Sequence, residues 1–456
     1  MNVPKNIFRQ YDVRGVVDRE LTPDLARALG RAFATAGWRR LGRAPVLAVG
    51  RDNRPSGDAL ARAVRQGIVA AGGTAIDVGM LPTPALYFAV HQLATDGGLQ
   101  VTGSHNPPEF NGFKMVLAGE SVHGEAILDL YDIIVTETWQ TGQGTERVDG
   151  SVLDGYAQAI LGRHRLARPV SVVVDCGNGV ASLVAERVVR ALGCEVTALF
   201  CESDGTFPNH HPDPTVPENL VDLVREVRRT GAELGIAFDG DGDRIGAVDE
   251  HGTIIFGDQL LVILGRDAVR RFGPGVPVIF DVKCSEVLPQ ALTAAGAKPE
   301  MWKTGHSLIK ARMKELGAPL AGEMSGHIFF GGDYYGYDDA LFAAARLLEI
   351  VASGQPGLHR LLADIPTTFA TPEIRVDCPD DVKFGIVDKA AAHFGSRYQV
   401  NTIDGVRIAY PDGWALLRSS NTQPVLVMRF EATSEASLAR YRGEMTTWLA
   451  GQGVQV

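Results

Sequence analysis

The chain has 456 residues, 45% of them hydrophobic and 21% charged. This composition excludes a disordered or fibrous chain and, at roughly 100–200 residues per domain, a single small module. Lys and Arg number 44 against 54 Asp and Glu, a net charge of −10, and without a basic run a nucleic-acid partner is not expected.

The opening Met1-Asn2-Val3-Pro4-Lys5-Asn6 lacks the apolar run of a signal peptide, and no stretch approaches the ~18 apolar residues of a membrane span. A soluble cytoplasmic protein with no membrane partner is expected. The first element pattern runs from Val46-Leu47-Ala48-Val49 through Leu60, Val64 and Ile68 to Gly72-Gly73 and Ala75-Ile76-Asp77-Val78. The second runs from Val170–Val174 through Val184, Val188 and Leu192 to Val196, and the third from Val276–Phe280 through Val287, Leu288 and Leu292 to Gly296. Each is a strand-like run, a helical spacing of apolar residues and a return, the signature of a repeated βα crossover in a parallel or mixed sheet. After about Pro366 the pattern changes to hairpin-forming runs at 373–376, 407–410, 414–418 and 425–430, with Pro411-Asp412-Gly413 as a turn. The reading is three similar α/β domains with mixed sheets (1–150, 151–252 and 253–365) and a smaller C-terminal α+β domain (366–456). Cys176, Cys194, Cys201, Cys284 and Cys378 form an odd set without a C-x-x-C pair, so buried reduced thiols are expected.

Four loops carry chemistry-bearing residues. Phe238-Asp239-Gly240-Asp241-Gly242-Asp243-Arg244 places three carboxylates at alternate positions between two strand-like runs. Like charges that close call for a cation, and all-oxygen ligands favour Mg²⁺ or Ca²⁺. An EF-hand matches Asp239, Asp241, Asp243 and Glu250, but its sixth position must be Gly and is Arg244 here. Val101-Thr102-Gly103-Ser104-His105-Asn106-Pro107 exposes Ser104 beside His105, with Lys114 following; a Ser hydroxyl needs a base or metal to become a nucleophile, and alone this stretch is only a turn. Gly322-Glu323-Met324-Ser325-Gly326-His327 mixes the donors and acceptors that vicinal sugar hydroxyls require. Arg418-Ser419-Ser420-Asn421-Thr422 offers a cation, hydroxyls and backbone N–H groups suited to a phosphate. Arg14, within Tyr11-Asp12-Val13-Arg14-Gly15, and Lys283 and His306 at strand ends are further candidates.

These loops, in this order and with the opening Ile7-Phe8-Arg9-Gln10-Tyr11-Asp12-Val13-Arg14-Gly15, resemble the α-D-phosphohexomutase family over essentially the whole chain. Glu323-Met324-Ser325-Gly326-His327 resembles the bacterial phosphomannomutase/phosphoglucomutase branch; phosphoglucosamine mutases usually have Gln where Met324 stands, and remain the alternative. The resemblance implies a heart-shaped, four-domain molecule around one cleft, phosphorylated at Ser104, with Mg²⁺ held by Asp239, Asp241, Asp243 and a phosphoserine oxygen. It implies interconversion of hexose 1- and 6-phosphates through a hexose 1,6-bisphosphate that turns around in the site. Glu323 and Ser325 would hold sugar hydroxyls O3 and O4, with His327, Tyr11 and Arg14 also binding substrate. Arg418, Ser420, Asn421 and Thr422 would hold the distal phosphate. His105, Lys114, Arg244, Lys283 and His306 take acid–base or electrostatic roles, and the expected state is a monomer, with a dimer as the alternative. Two other classes compete: a sugar phosphatase using Asp239 as nucleophile, and a non-catalytic sugar-phosphate or Ca²⁺ binding protein.

Overall fold

The computed structural model describes residues 3–420 and 423–456, which form four sheets. The first has seven strands in the order Val13–Val16, Phe110–Leu117, Gly97–Val101, Val46–Arg51, Thr74–Met80, Thr145–Val148, with Glu120–Ser121 paired beside Phe110–Leu117. The second runs Ile254–Ile255, Ile245–Asp249, Leu234–Phe238, Ser171–Asp175, Glu195–Leu199, and the third Lys298–Trp302, Pro277–Asp281, Leu320–Gly322, Ile328–Phe330.

The three expected crossovers are present, because in each sheet the first and second strands of the pattern pair in parallel: Val46–Arg51 with Thr74–Met80, Ser171–Asp175 with Glu195–Leu199, and Pro277–Asp281 with Lys298–Trp302. The intervening helices are Gly57–Ala70, Ala185–Ala191 and Val287–Ala294. On the other side of each first strand lies an antiparallel hairpin: Gly97–Val101 with Phe110–Leu117, Leu234–Phe238 with Ile245–Asp249, and Leu320–Gly322 with Ile328–Phe330. The connections of these hairpins are the Ser104 loop, the Asp239–Arg244 loop and the Glu323–His327 loop. Three loops unrelated in sequence therefore occupy one topological position, at the carboxyl ends of parallel strands where α/β sheets bind ligands.

The fourth sheet is antiparallel throughout, in the order Phe369–Ala370, Val425–Ala432, Gly413–Ser419, Val406–Tyr410, Gln399–Asn401, with Ile374–Asp377 also on Val425–Ala432. Helices Asp380–Gly395 and Glu435–Gly451 pack on it through Phe394, Tyr441 and Met445. One core is continuous through the first three sheets, from Ile76 and Phe88 through Val172 and Ile236 to Val278 and Phe330. The C-terminal sheet has its own core and meets the third through Trp414 and Leu416 against Val282. Shared apolar packing of this kind fixes the loops relative to one another.

All five cysteines are unpaired; four are buried as expected, whereas Cys201 is half-buried with its Sγ 3.4 Å from that of Cys176. Among the described residues no helix is long and apolar enough to cross a membrane.

Candidate active site

The Ser104 and Asp239 loops meet directly. Ser104 Oγ donates to Asp239 Oδ2 at 2.9 Å. A hydroxyl has one hydrogen, so the His105 Nδ1 at 3.1 Å from the same oxygen donates to it as the Nδ1–H tautomer. Ser104 sits at φ 49°, the left-handed region that costs a non-glycine residue roughly 1–2 kcal/mol. The two loops touch so closely that a Cβ on Gly240 would lie 2.3 Å from the Ser104 carbonyl oxygen. Only glycine fits there.

Asp239, Asp241 and Asp243 are fully buried, with ligand oxygens mutually within 4.8 Å. Asp239 Oδ1 accepts from the backbone N–H groups of Asp243 and Arg244, which curls the turn around it. The flanking antiparallel strands and the engagement of Glu250 with the backbone of Leu358 and His359 exclude the EF-hand reading. Burial, and then Asp243 and Asp241, push Asp239 well above the usual carboxylate range. Burial would raise Asp243 too, but Lys114, His327 and Arg244 outweigh it and hold that group well below the usual range. Lys114 Nζ bridges Asp241, at 2.8 Å, and Asp243; against burial, these two carboxylates keep it a cation. Asp241 Oδ1 is buried without a hydrogen bond, and Asp243 Oδ1 makes none of good geometry, with only His327 Nε2 at 3.3 Å. Orphaned anionic oxygens are costly. Three hard carboxylates with two lone oxygens to spare suit a divalent cation such as Mg²⁺.

The Glu323–His327 loop joins next. His327 Nδ1 lies 3.0 Å from both Glu323 Oε2 and Ser325 Oγ. Burial alone would lower the His327 pKa, but Asp243 and Glu323 overcome it and raise it to about 9. A doubly protonated ring pairs through Nδ1 with Glu323, faces Asp243 as a cation, and only abuts the Arg244 guanidinium, 3.3 Å away. His306 stacks on His327 at 5.8 Å between centroids and faces Tyr11 edge-on. Burial, then Lys310 and Lys114, push His306 well below its ordinary value, and burial with Arg244 and Arg14 does the same to His105. Both are neutral near pH 7. Lys283 pairs with Glu373 at 3.3 Å and lies 3.9 Å from Asp281; these carboxylates hold it protonated against burial.

From there the network reaches the C-terminal unit. Gly305 N donates to Glu323 at 2.6 Å, Tyr11 Oη to the Thr304 carbonyl at 2.8 Å, and Thr304 N to Asp404 at 3.0 Å; Asp404 in turn pairs with Arg418 at 3.0 Å. Ser104 and Arg418 are thus ends of one chain of polar contacts that crosses all four sheets. Arg14 donates to Asn106 Oδ1 at 2.9 Å and pairs with Asp12 at 2.5 Å, which puts it on the Ser104 loop. Ser420 Oγ accepts from Gln423 N and its N–H bonds to Val425 O. Asn421 and Thr422 lie outside the described residues.

Sequence reasoning missed the residues beneath the loops: Asp52 and Arg54 under Ser104, Lys383 under Ser420, Asp404 beside Arg418, and the Asp338–Lys310 pair at 3.0 Å behind His306. Arg51-Asp52-Asn53-Arg54 leaves the carboxyl end of a parallel strand, the placement that drew attention to Lys283, so the signal for Asp52 and Arg54 was available.

Family models described as phosphoglucomutase/phosphomannomutase alpha/beta/alpha domains I, II and III match residues 5–141, 154–252 and 256–369, and the model of the C-terminal domain matches 373–447. The chain belongs to the phosphoglucomutase/phosphomannomutase family. It is 48% identical over 443 residues to a phosphomannomutase/phosphoglucomutase of Pseudomonas aeruginosa, covering 96% of this chain and 94% of that protein. A phosphoglucomutase of Neisseria gonorrhoeae is 43% identical over 445 residues, covering 96% and 95%. The crystal structure of a phosphoglucomutase/phosphomannomutase family protein from Burkholderia thailandensis superposes with a TM-score of 0.90 at 45% identity, covering 97% of each chain. For a phosphoglucomutase/phosphomannomutase family member, a serine, a carboxylate triad and an arginine loop joined by one polar network are the parts that need explaining.

Proposed function

We propose that the chain is a phosphohexomutase that interconverts hexose 1-phosphates and hexose 6-phosphates, mannose or glucose, through a phosphoserine at Ser104 and a hexose 1,6-bisphosphate. The observation that carries this reading is the Ser104 hydroxyl, 2.9 Å from one of three buried carboxylates and backed by Lys114. Phosphoryl transfer asks mainly for placement and charge neutralisation. Asp239, Asp241, Asp243 and a phosphoserine oxygen would hold Mg²⁺, which when bound neutralises charge on the transferring phosphoryl group. Lys114 and Arg244 hold cationic charge around the same oxygens. The P–O bond to Ser104 breaks as one forms to the sugar hydroxyl; the sugar hydroxyl proton goes to a neutral base, the role assigned to His306, and the released Ser104 oxygen takes up a proton from water to become a hydroxyl again. Glu323 and Ser325 accept and donate to the hydroxyls the two sugars share, helped by His327. Arg418 and Ser420, with Asn421 and Thr422, hold the phosphate that is not reacting. Tyr11, Arg14 and Lys283 line the path between the ends, and His105 orients the serine. In the return step the bisphosphate, turned end for end, gives its other phosphoryl group back to Ser104.

The domain limits we assign are 1–150, 151–252, 253–365 and 366–456, in a cytoplasmic monomer. Coupled assays on glucose 1-phosphate, mannose 1-phosphate and glucosamine 1-phosphate test the reading. Turnover of the first two, dependent on Mg²⁺ and primed by the 1,6-bisphosphate, is expected; preference for glucosamine 1-phosphate, or release of inorganic phosphate, overturns it.

A further inference from the structure

The Ser104 loop is a connection of eight residues that the chain alone would not hold in one shape, and its carbonyls point inward at a single side chain. Arg54 is among the largest fully buried side chains, with 1% of its surface exposed. Its guanidinium has five N–H donors in a rigid planar fork. Nε donates to Asp52 Oδ2 at 3.2 Å; Nη1 donates to the carbonyls of Pro107 at 2.6 Å and Phe110 at 2.9 Å; Nη2 donates to those of Ser104 at 2.8 Å and Asn106 at 2.5 Å. Asp52 completes the frame, because its Oδ2 also accepts from Thr102 Oγ1 and Gly103 N, and Thr102 Oγ1 accepts from Ser104 N. Phe207, from the second unit, covers the guanidinium at 5.2 Å.

We propose that Arg54 is a positioning residue of the phosphoryl-transfer reaction: by binding four carbonyls of the 104–110 loop at once, it holds Ser104 in its left-handed conformation with Oγ aimed at Asp239. This rests on the phosphoserine reading above. Arg54 touches neither substrate nor the reacting oxygen, so its effect passes through the geometry of Ser104. A lysine retains the charge but has only three donors on a point-like head, too few for Asp52 and four carbonyls.

The test uses full-length Arg54→Lys and wild type, each treated with hexose 1,6-bisphosphate labelled in its phosphoryl groups, with label on Ser104 followed in time and steady-state kinetics run alongside. A displacement of the nucleophile by about 1 Å costs about 100-fold in rate. The expected result is a kcat and a rate of Ser104 labelling both lowered about 100-fold, final labelling still near one per chain, and KM for hexose 1-phosphate within about twofold of wild type. A residue that merely stabilised the fold would lower the labelled fraction and leave the rate of the folded fraction unchanged, and that result overturns the proposal, as does labelling at the wild-type rate. If Arg54→Lys does not fold, Asp52→Asn carries the same test with the same expected split between rate and final extent. Wild-type enzyme that turns over hexose phosphates without label on Ser104 refutes the phosphoserine reading itself, a result distinct from a labelled wild type matched by an equally fast variant.

Discussion

The Ser104 loop and the Arg418–Gln423 loop solve related problems with different amounts of structure. Each connects the two strands of an antiparallel hairpin, and each is gripped from inside by a buried cation through its carbonyls. Under Ser104 the grip is a guanidinium with every donor used. Under Ser420 it is Lys383, whose Nζ donates to the carbonyls of Ser420 at 2.5 Å and Gln423 at 2.9 Å and to Asp380 at 2.6 Å. Arg418 itself spends its charge on Asp404, in an ion pair that a phosphate can share. Group transfer depends on the position of one oxygen to a fraction of an ångström, whereas holding a passive dianion depends on charge and hydrogen-bond donors that tolerate adjustment. Among the described residues, four carbonyls are held at the proposed reacting end and two at the proposed clamping end.

This contrast orders the expected effects of mutation. Ser104→Ala removes the oxygen proposed to carry the phosphoryl group, so kcat should fall by several orders of magnitude with the melting temperature preserved; calorimetry beside steady-state assays checks both. Asp241→Asn removes a charge from the triad and leaves Lys114 with one fewer anionic partner. Turnover should drop on the order of 100-fold, and the Mg²⁺ concentration giving half-maximal activity should rise; a Mg²⁺ titration reads it. At the other end, Arg418→Ala should raise KM for glucose 1-phosphate and mannose 1-phosphate alike, about 10–100-fold, the worth of a charge-assisted contact. It should also let free bisphosphate accumulate, which phosphorus NMR of the reaction mixture detects. Equal losses in kcat at both ends would remove the distinction.

The architecture was largely legible in the chain because its signals are local. Val46–Val49, Val276–Phe280 and their helical spacings fix the crossovers, and the Asp239, Ser104, Glu323 and Arg418 stretches stand out by composition. Lys383 did not, because nothing in a linear sequence distinguishes a lysine that binds two carbonyls from one that lies in solvent, and Arg54 was marked only by its place after a parallel strand, which does not reveal the four carbonyls it binds; the loops that bury both come from distant parts of the chain. The equivalence of the three hairpin loops was likewise invisible, since turns at one topological position share no residues. Asp404 is similar: it gains meaning only when Thr304 and Arg418 are brought to it.

Smaller effects test the proposed clamping end. Lys383→Met keeps the bulk of the stem but leaves the Ser420 and Gln423 carbonyls without their donor. KM for both hexose phosphates should rise about 3–10-fold with kcat little changed, the worth of one or two lost hydrogen bonds. The smallest effect concerns the joint between the third and fourth units. Glu373 is held down to about 2, from 4.5, because Lys283 and Arg375 outweigh burial. A carboxylate with a depressed folded pKa contributes stability that is present above its unfolded pKa and lost as pH falls through the folded one. The contribution, at most about 3 kcal/mol, should vanish between about pH 4.5 and 2. In Glu373→Gln the melting temperature should be lower at neutral pH and fall less steeply across that window.

The phosphoserine itself is the most direct measurement. Wild-type enzyme treated with hexose 1,6-bisphosphate, digested and analysed by mass spectrometry, should carry one phosphate on the peptide containing Ser104. The modification should withstand acid and hydroxylamine and disappear when hexose 1-phosphate is added, with bisphosphate formed in equal amount. A hydroxylamine-labile phosphate on Asp239, or full turnover with Ser104 never modified, would contradict it.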